Sequence, residues 1–357
     1  MSNLEKKRSA LLASFLLCCI LLLAACSDEP VSSPVIRLSG ATMGTQYNVT
    51  IVIPVSKSSV IPNKSIIAEA VTEALRQVNQ QMSTYIANSE LSLLNKAKTN
   101  QWLAVSKPLF DVLVLSKEIS TNSNGAFDVT IAPLVNLWGF GPLFTADTIP
   151  DDIEIEAALV NIGSSLWDLD TITQRVYKKS PVEIDLSAIA KGYGVDVVAA
   201  ILDDFGLRNY LVDIGGEVRV AGLNSKNLKW RIGIETPISS LQRRVQKIIS
   251  ITDIAMATSG SYRNYFETDG VVYSHTLDPR TGYPIKHQLV SVTVLAETCA
   301  QADALATAFQ VMGYEKGLLL ANTESIPALF IVKEFASSTQ PSGFKEVASQ
   351  SFINNEF

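Results

Sequence analysis

Apolar and polar positions alternate from Thr45 to Ile53, with Tyr47, Val49, Ile51 and Ile53 on one side, and this period of two predicts a half-buried strand. Between Ile66 and Met82 the period changes. Ile67, Val71, Leu75, Val78 and Met82 recur at steps of three and four, the spacing of an amphipathic helix. A second helix is predicted from about Pro108 to Thr121. Tyr210 to Val220, Trp230 to Thr236, Val271 to Leu277 and Val290 to Ala296 read as strands, and Leu186 to Phe205 and Ala300 to Met312 as helices. Residues 142–158 carry acidic but no basic side chains and are read as a surface excursion. Strands and helices intermingle without regular βαβ alternation, so an α+β fold is expected rather than a doubly wound sheet.

The chain's 357 residues are 47% hydrophobic and 18% charged, enough apolar material for one large domain or two intimately packed ones. A disordered chain would be poorer in apolar residues. The net charge is −6 with no Lys/Arg-rich block, which argues against a nucleic-acid partner. Four cysteines and two histidines leave no room for a disulfide framework or a His/Cys zinc site.

At the N-terminus, Lys6, Lys7 and Arg8 precede an apolar run from Leu11 to Ala25. That run is shorter than the roughly 20 residues a membrane-crossing helix needs, so residues 1–25 read as a signal peptide. Leu23, Ala24, Ala25 and Cys26 look like a bacterial lipobox, with Cys26 the lipidated first residue of the mature protein. The alternative is a plain secretory signal in which Cys26 is incidental. Residues 26–36 would be a lipid-anchored tether, 37–340 the folded domain and 341–357 a C-terminal tail. Cys18 and Cys19 leave with the signal, making Cys299 a lone thiol. The expected location is a membrane-anchored lipoprotein facing the periplasm. Ser27 after the cysteine, by resemblance to lipoprotein sorting signals, favours the outer over the inner membrane.

Several familiar signatures are missing. There is no G-x-x-x-x-G-K-[ST] phosphate loop and no G-x-S-x-G elbow. Neither Gly139-Phe140-Gly141 nor Gly192-Tyr193-Gly194 completes a dinucleotide fingerprint. Four other segments are richer in glycine, acid and hydroxyl groups than a core requires. In Asp185–Gly194, Asp185 or Ser187 could cap a helix whose small residues let an anion approach free N–H groups, and Lys191 could add charge; an ordinary capped helix is the plainer reading. Asp303 and Thr307 stand at i and i+4 on one helix face, and their carboxylate and hydroxyl are oxygen ligands suited to Mg²⁺; the plainer reading is a close helix contact among alanines. Tyr273–Pro284 runs from strand into turn and contains His275, a general-base candidate or a packed strand histidine. His287 lies in a plainer, surface context. Ala257–Arg263 is a hydroxyl-rich turn that either lines a pocket or joins two strands.

Together these segments resemble the flavin transferases of the ApbE type, the FAD:protein FMN transferases. The resemblance runs from Met43-Gly44-Thr45 to Thr307. It takes in Met82–Tyr85, Ser89–Ser92 with Asn95, Gly125–Thr130, Pro133-Leu134, Asp185–Gly194, Asp213–Glu217, Thr258–Tyr262, His275–Pro284 and Ala302–Thr307. It implies an α+β, mixed-sheet, T-fold-like architecture with a cleft between two closely packed subdomains. It also implies Mg²⁺-dependent transfer of FMN from FAD, the substrate, to a threonine hydroxyl of an acceptor flavoprotein subunit, with release of AMP. Asp303, Thr307 and the carbonyl of Ala188 match the family's Mg²⁺ ligands. Met43, Tyr85, Ala126, Phe127, Asp128, Asp185 and Lys191 match its FAD-contacting positions, and Leu277 or a neighbour would contact FAD through backbone. His275 is assigned as the base for the acceptor threonine. The competing readings are an FAD pyrophosphatase giving free FMN and AMP, a non-catalytic FAD-binding lipoprotein, and a transporter's substrate-binding lipoprotein.

Overall fold

A computed structural model describes residues 33–53, 62–142, 149–235, 245–261, 265–268, 271–337, 340–355 and 357. The proposed signal and Cys26 lie outside them. The described residues open with a hairpin, β1 (Val35–Thr42) and β2 (Thr45–Val52), turned by Met43 and Gly44 at positive φ. Helices α1 (Lys64–Met82) and α2 (Glu90–Lys96) follow, then β3 (Trp102–Ala104), α3 (Lys107–Asn122), α4 (Ala132–Leu137) and α5 (Asp152–Leu159). Strands β4 (Trp167–Asp170) and β5 (Arg175–Lys178) lead to α6 (Ala190–Asp204), β6 (Tyr210–Ile214) and β7 (Glu217–Ala221). Next come β8 (Trp230–Glu235), β9 (Val245–Ile251), β10 (Ile254–Gly260), β11 (Tyr265–Thr268), β12 (Val271–Ser274) and β13 (Leu289–Ala296). Helices α7 (Cys299–Met312) and α8 (Tyr314–Thr323), strands β14 (Ala328–Ser337) and β15 (Gln340–Ala348), and α9 (Gln350–Asn354) complete it.

Eight strands form the main sheet in the order β1-β2-β6-β7-β10-β13-β14-β15, with every ladder antiparallel. Among the described residues a parallel pairing occurs only as an isolated bridge, Ile131 to Glu183. Both faces of the sheet are covered, and the alternation along each strand sorts its side chains. On one face Val49, Ile51, Val212 and Ile214 meet Ile67, Val71 and Leu75 of α1 and Val195, Val198 and Leu202 of α6. On the other, Val218, Val220, Met256 and Leu295 meet Trp230, Ile232, Ile249 and Ile251 of the β8–β9 hairpin, with Phe352 of α9. β14 shows the period of two directly: Leu329 and Ile331 join this second core, whereas Ala328 and Phe330 join the core beneath α7.

The sequence pattern for α1 matches its buried stripe residue for residue: Ile67, Val71, Leu75, Val78 and Met82. Each such side chain contributes about 1.5–3 kcal/mol on burial. Two expectations change. Tyr210 to Val220 is a hairpin, because Gly215 and Gly216 both adopt positive φ and turn the chain between β6 and β7. The acidic stretch is not only an excursion: its described residues include α5, started by a reciprocal capping box between Asp151 and Glu154. Ile155 of that helix is buried against Leu134, Trp138 and Leu277. No helix among the described residues is long and apolar enough to cross a membrane.

Candidate active site

A cavity of about 460 Å³ is lined by residues from α4, α6, β7, β8, β10 and α7 and from the loops between distant elements. One wall is Ala126, Phe127 and Asp128, which follow α3. That helix ends in a tight reversal in which Asn124 and Gly125 take positive φ and the Gly125 N–H donates to the Ser120 carbonyl at 2.8 Å. Asp128 is itself buried, and its Oδ1 accepts from the Thr130 N–H (2.9 Å) and hydroxyl (2.6 Å).

Asp185 and Ala188 form the next part of the lining, on a loop held from two sides. The Asp185 N–H donates to the Val129 carbonyl at 2.7 Å. Asn95 acts as a one-residue strand partner: its Nδ2 donates to the Ile184 carbonyl and its Oδ1 accepts from the Ile184 N–H, both at 2.8 Å. Buried Lys178 donates to the carbonyls of Leu94, Asn95 and Ala97, anchoring the end of α2 from which Asn95 projects. Asp185 caps no α-helix. Its Oδ1 accepts from the Ser187 N–H at 2.7 Å, and α6 begins only at Ala190, after Ile189, without a side-chain cap.

The opposite side of the cavity is α7, whose start is fixed twice. Thr298 caps it by accepting from the Gln301 N–H. The Asp196 carboxylate, from α6, accepts from the N–H groups of Cys299 and Ala300, both at 2.9 Å, and is held by Arg219 at 2.7 Å. Gly192 lets α6 approach this point so closely that any side chain there would strike the backbone of Cys299 and Ala300. The Gly192 N–H, in the first turn of α6, is not free for an anion: it donates to Asp303 Oδ2 at 3.1 Å.

Asp303 and Thr307 therefore project from a helix set against α6, and both line the cavity. Asp303 is only 3% exposed. Its Oδ2 lies 3.5 Å from Lys191 Nζ, which makes a shorter ion pair, 2.9 Å, with Glu217 Oε1. Burial alone would lower the Lys191 pKa, but the carboxylates of Asp303 and Glu217 together raise it and keep the ammonium charged. Burial pushes the Glu217 carboxyl up to about 7 against the pull of Lys191, with Asp303 adding to the rise. Thr307 Oγ1 shares a hydrogen bond of 3.2 Å with Ser259, and Thr258 pairs across the sheet with Thr293 at 2.8 Å. Thr258, Ser259 and Gly260 are the end of β10, not a turn, and they do line the pocket; Tyr262 and Arg263 lie outside the described residues.

His275, Thr276, Leu277 and Pro279 close the remaining side. Leu277 bridges to Pro284, and Trp138 Nε1 donates to the Gly282 carbonyl at 2.9 Å. The His275 ring meets Phe140 edge-on at 6.3 Å. His287 is exposed, as expected, and donates through Nε2 to the Gln310 carbonyl at 2.8 Å. Of the sequence-predicted site residues, Ala126, Phe127, Asp128, Asp185, Ala188, Lys191, His275, Leu277, Asp303 and Thr307 converge on the one cavity. Met43 and Tyr85 are not on its wall: Met43 packs partly buried between two cores, and Tyr85 is 71% exposed. Sequence reasoning gave Glu217 no role, although the Gly215-Gly216 turn that aims it into the cavity was visible.

Asp303 and Thr307 bring a carboxylate and a hydroxyl to the same cavity lining as Ala188, and oxygen donors of this kind suit a hard cation. Among the described residues no group of three His, Cys, Asp or Glu could hold a metal alone. Such a sparse set fits Mg²⁺, which completes its shell with water and substrate phosphates.

Residues 43–330 match the ApbE family. The chain is 46% identical over 319 residues to the FAD:protein FMN transferase of Vibrio cholerae, covering 89% of this chain and 91% of that protein. It is 36% identical over 333 residues to the protein of the same name from Escherichia coli K12, covering 92% of each. Its structure resembles that of the flavin transferase ApbE from Vibrio cholerae with a TM-score of 0.81 at 43% identity, over 90% of this chain and 99% of that one. Similarity of this extent means that the chain belongs to the ApbE family.

Proposed function

We propose that the protein is a Mg²⁺-dependent FAD:protein FMN transferase that moves FMN from FAD to a threonine hydroxyl of an acceptor flavoprotein, releasing AMP. The observation that carries this reading is the convergence of Asp303, Thr307 and Lys191 with the Ala126–Asp128 wall in one cavity. Phe127 offers an apolar wall for a flavin or adenine ring, and Lys191 places a fixed positive charge for phosphate oxygens. Asp303, Thr307 and the Ala188 carbonyl would hold Mg²⁺, which supplies neutralisation of charge developing on the diphosphate. In the transfer, the threonine oxygen bonds to the FMN phosphorus as the bond from that phosphorus to the bridging oxygen breaks. AMP departs with the bridging oxygen, and His275 takes the hydroxyl proton.

Incubation with FAD, Mg²⁺ and a threonine-bearing acceptor should leave flavin fluorescence on the denatured acceptor. Steady AMP release with no covalent flavin on any acceptor would instead make the protein a pyrophosphatase, and FAD binding with no AMP at high Mg²⁺ a flavin-holding lipoprotein. The lipobox further supports anchoring through Cys26 with the domain facing the periplasm, and Ser27 supports the outer membrane. Mass spectrometry of the mature N-terminus from cells checks this: an unmodified Cys26, or a chain retaining residues 1–25, would remove the anchor.

A further inference from the structure

Glu217 is a buried carboxylate that no part of the proposed transfer uses. It is 5% exposed, sits at the first position of β7, and faces the cavity. Its Oε1 holds Lys191 Nζ at 2.9 Å, while its Oε2 has no hydrogen-bond partner among the described residues. Lys191 thus stands between two carboxylates and is nearer to Glu217 than to Asp303, by 2.9 Å against 3.5 Å. An ammonium fully paired with Asp303 would compete with any cation for that carboxylate. The Lys191 side chain is about a third exposed, and the ion pairs it makes within the protein are with these two carboxylates, so the carboxylate of Glu217 decides how much of it Asp303 receives.

We propose that Glu217 is a positioning residue that draws the Lys191 ammonium off Asp303 and keeps that carboxylate open to a divalent cation. This rests on the reading of Asp303 as a cation ligand. When a cation arrives, Lys191 can remain charged on Glu217, so the cavity accepts the new charge without expelling the old one. With glutamine at 217 the lysine loses its charged partner and turns to Asp303.

The test uses the purified, flavin-free full chain and Mn²⁺ alone, followed through the EPR signal of the free ion. Glu217→Gln should weaken Mn²⁺ binding by about tenfold, and by less than about twofold in a Lys191→Met background. Equal losses in both backgrounds would mean that Glu217 merely adds negative charge, and no loss in either would mean that it does nothing for the cation; each overturns the inference. Absence of saturable Mn²⁺ binding in the wild type is a different result, and it removes the cation reading together with this one. If Glu217→Gln has no cooperative melting transition, Glu217→Asp carries the same comparison, because its shorter side chain withdraws the acceptor from Lys191.

Discussion

Gly192→Ala tests the contact on which the placement of Asp303 depends. An added methyl at 192 would lie 2.6 Å from the Cys299 carbonyl carbon and 2.8 Å from the Ala300 Cα, and closer still to the Cys299 oxygen. Carbon atoms pack comfortably at about 3.5 Å, so α6 and α7 must separate by somewhat under ~1 Å. All of these are backbone atoms, and no rotamer change relieves the overlap. Overpacking of this kind costs about 1–3 kcal/mol. Lengthening the 3.1 Å bond from the Gly192 N–H to the Asp303 carboxylate adds a loss, about 1.5–3 kcal/mol for a charged acceptor. Against these stands the gain from replacing glycine in a helix, about 1 kcal/mol. The net expectation is a destabilisation of roughly 1.5–5 kcal/mol, which for a fold of this size is a fall in Tm of about 2–7 °C by calorimetry. Gly194→Ala, two residues along the same helix and clear of the Cys299 and Ala300 backbone, is the control. Its methyl would meet the Met43 Cε at 2.8 Å, the far end of a flexible side chain, and should change Tm little. A Gly192→Ala protein as stable as wild type would refute the close approach of the two helices.

Asp303→Asn should lower Mg²⁺-dependent AMP release from FAD by at least about 100-fold; an unchanged rate would take Asp303 out of the chemistry. Asn95→Ala removes both bonds to Ile184 and should cost about 1–3 kcal/mol in urea unfolding, with a raised KM for FAD because the Asp185 loop loosens; equal stability would mean that the loop is held by the Val129 contact alone. The Glu217 carboxyl ionises near 7 in the fold but at its ordinary 4.5 when unfolded, so the unfolded chain gives up that proton first. Wild-type Tm measured against Glu217→Gln should therefore fall as pH rises from about 4.5 to about 7, and a difference that is flat across this window would contradict the raised value.

Much of the architecture could be read from periodicity because burial there is one-sided. The α1 stripe is legible since only one face of that helix meets the sheet, and every third or fourth residue reports it. Residues 328–332 of β14 have no polar face to mark their alternation, as both sides are buried there. At α5 the acidic composition masks the helix, whose marks are the Asp151/Glu154 capping pair and a single buried side chain, Ile155. The start of α6 was misplaced because Asp185 closes a local turn with Ser187, a competition that caps and turns share. At the site, residues within one element were legible, as with Asp303 and Thr307. The meeting of Lys191 with Glu217 was not, since it depends on α6, β7 and α7 being brought together by the sheet.

The lining of the cavity is gathered from Ala126 through Val311, and the helix bearing Asp303 is inserted between two neighbouring strands of the main sheet, β13 and β14. Pairings this distant along the chain form slowly, after the loops between them have closed. A growing polypeptide thus carries no working fraction of the site until residues of its last third have joined the rest. Any quality control that senses catalysis would in effect be sensing the completion of folding.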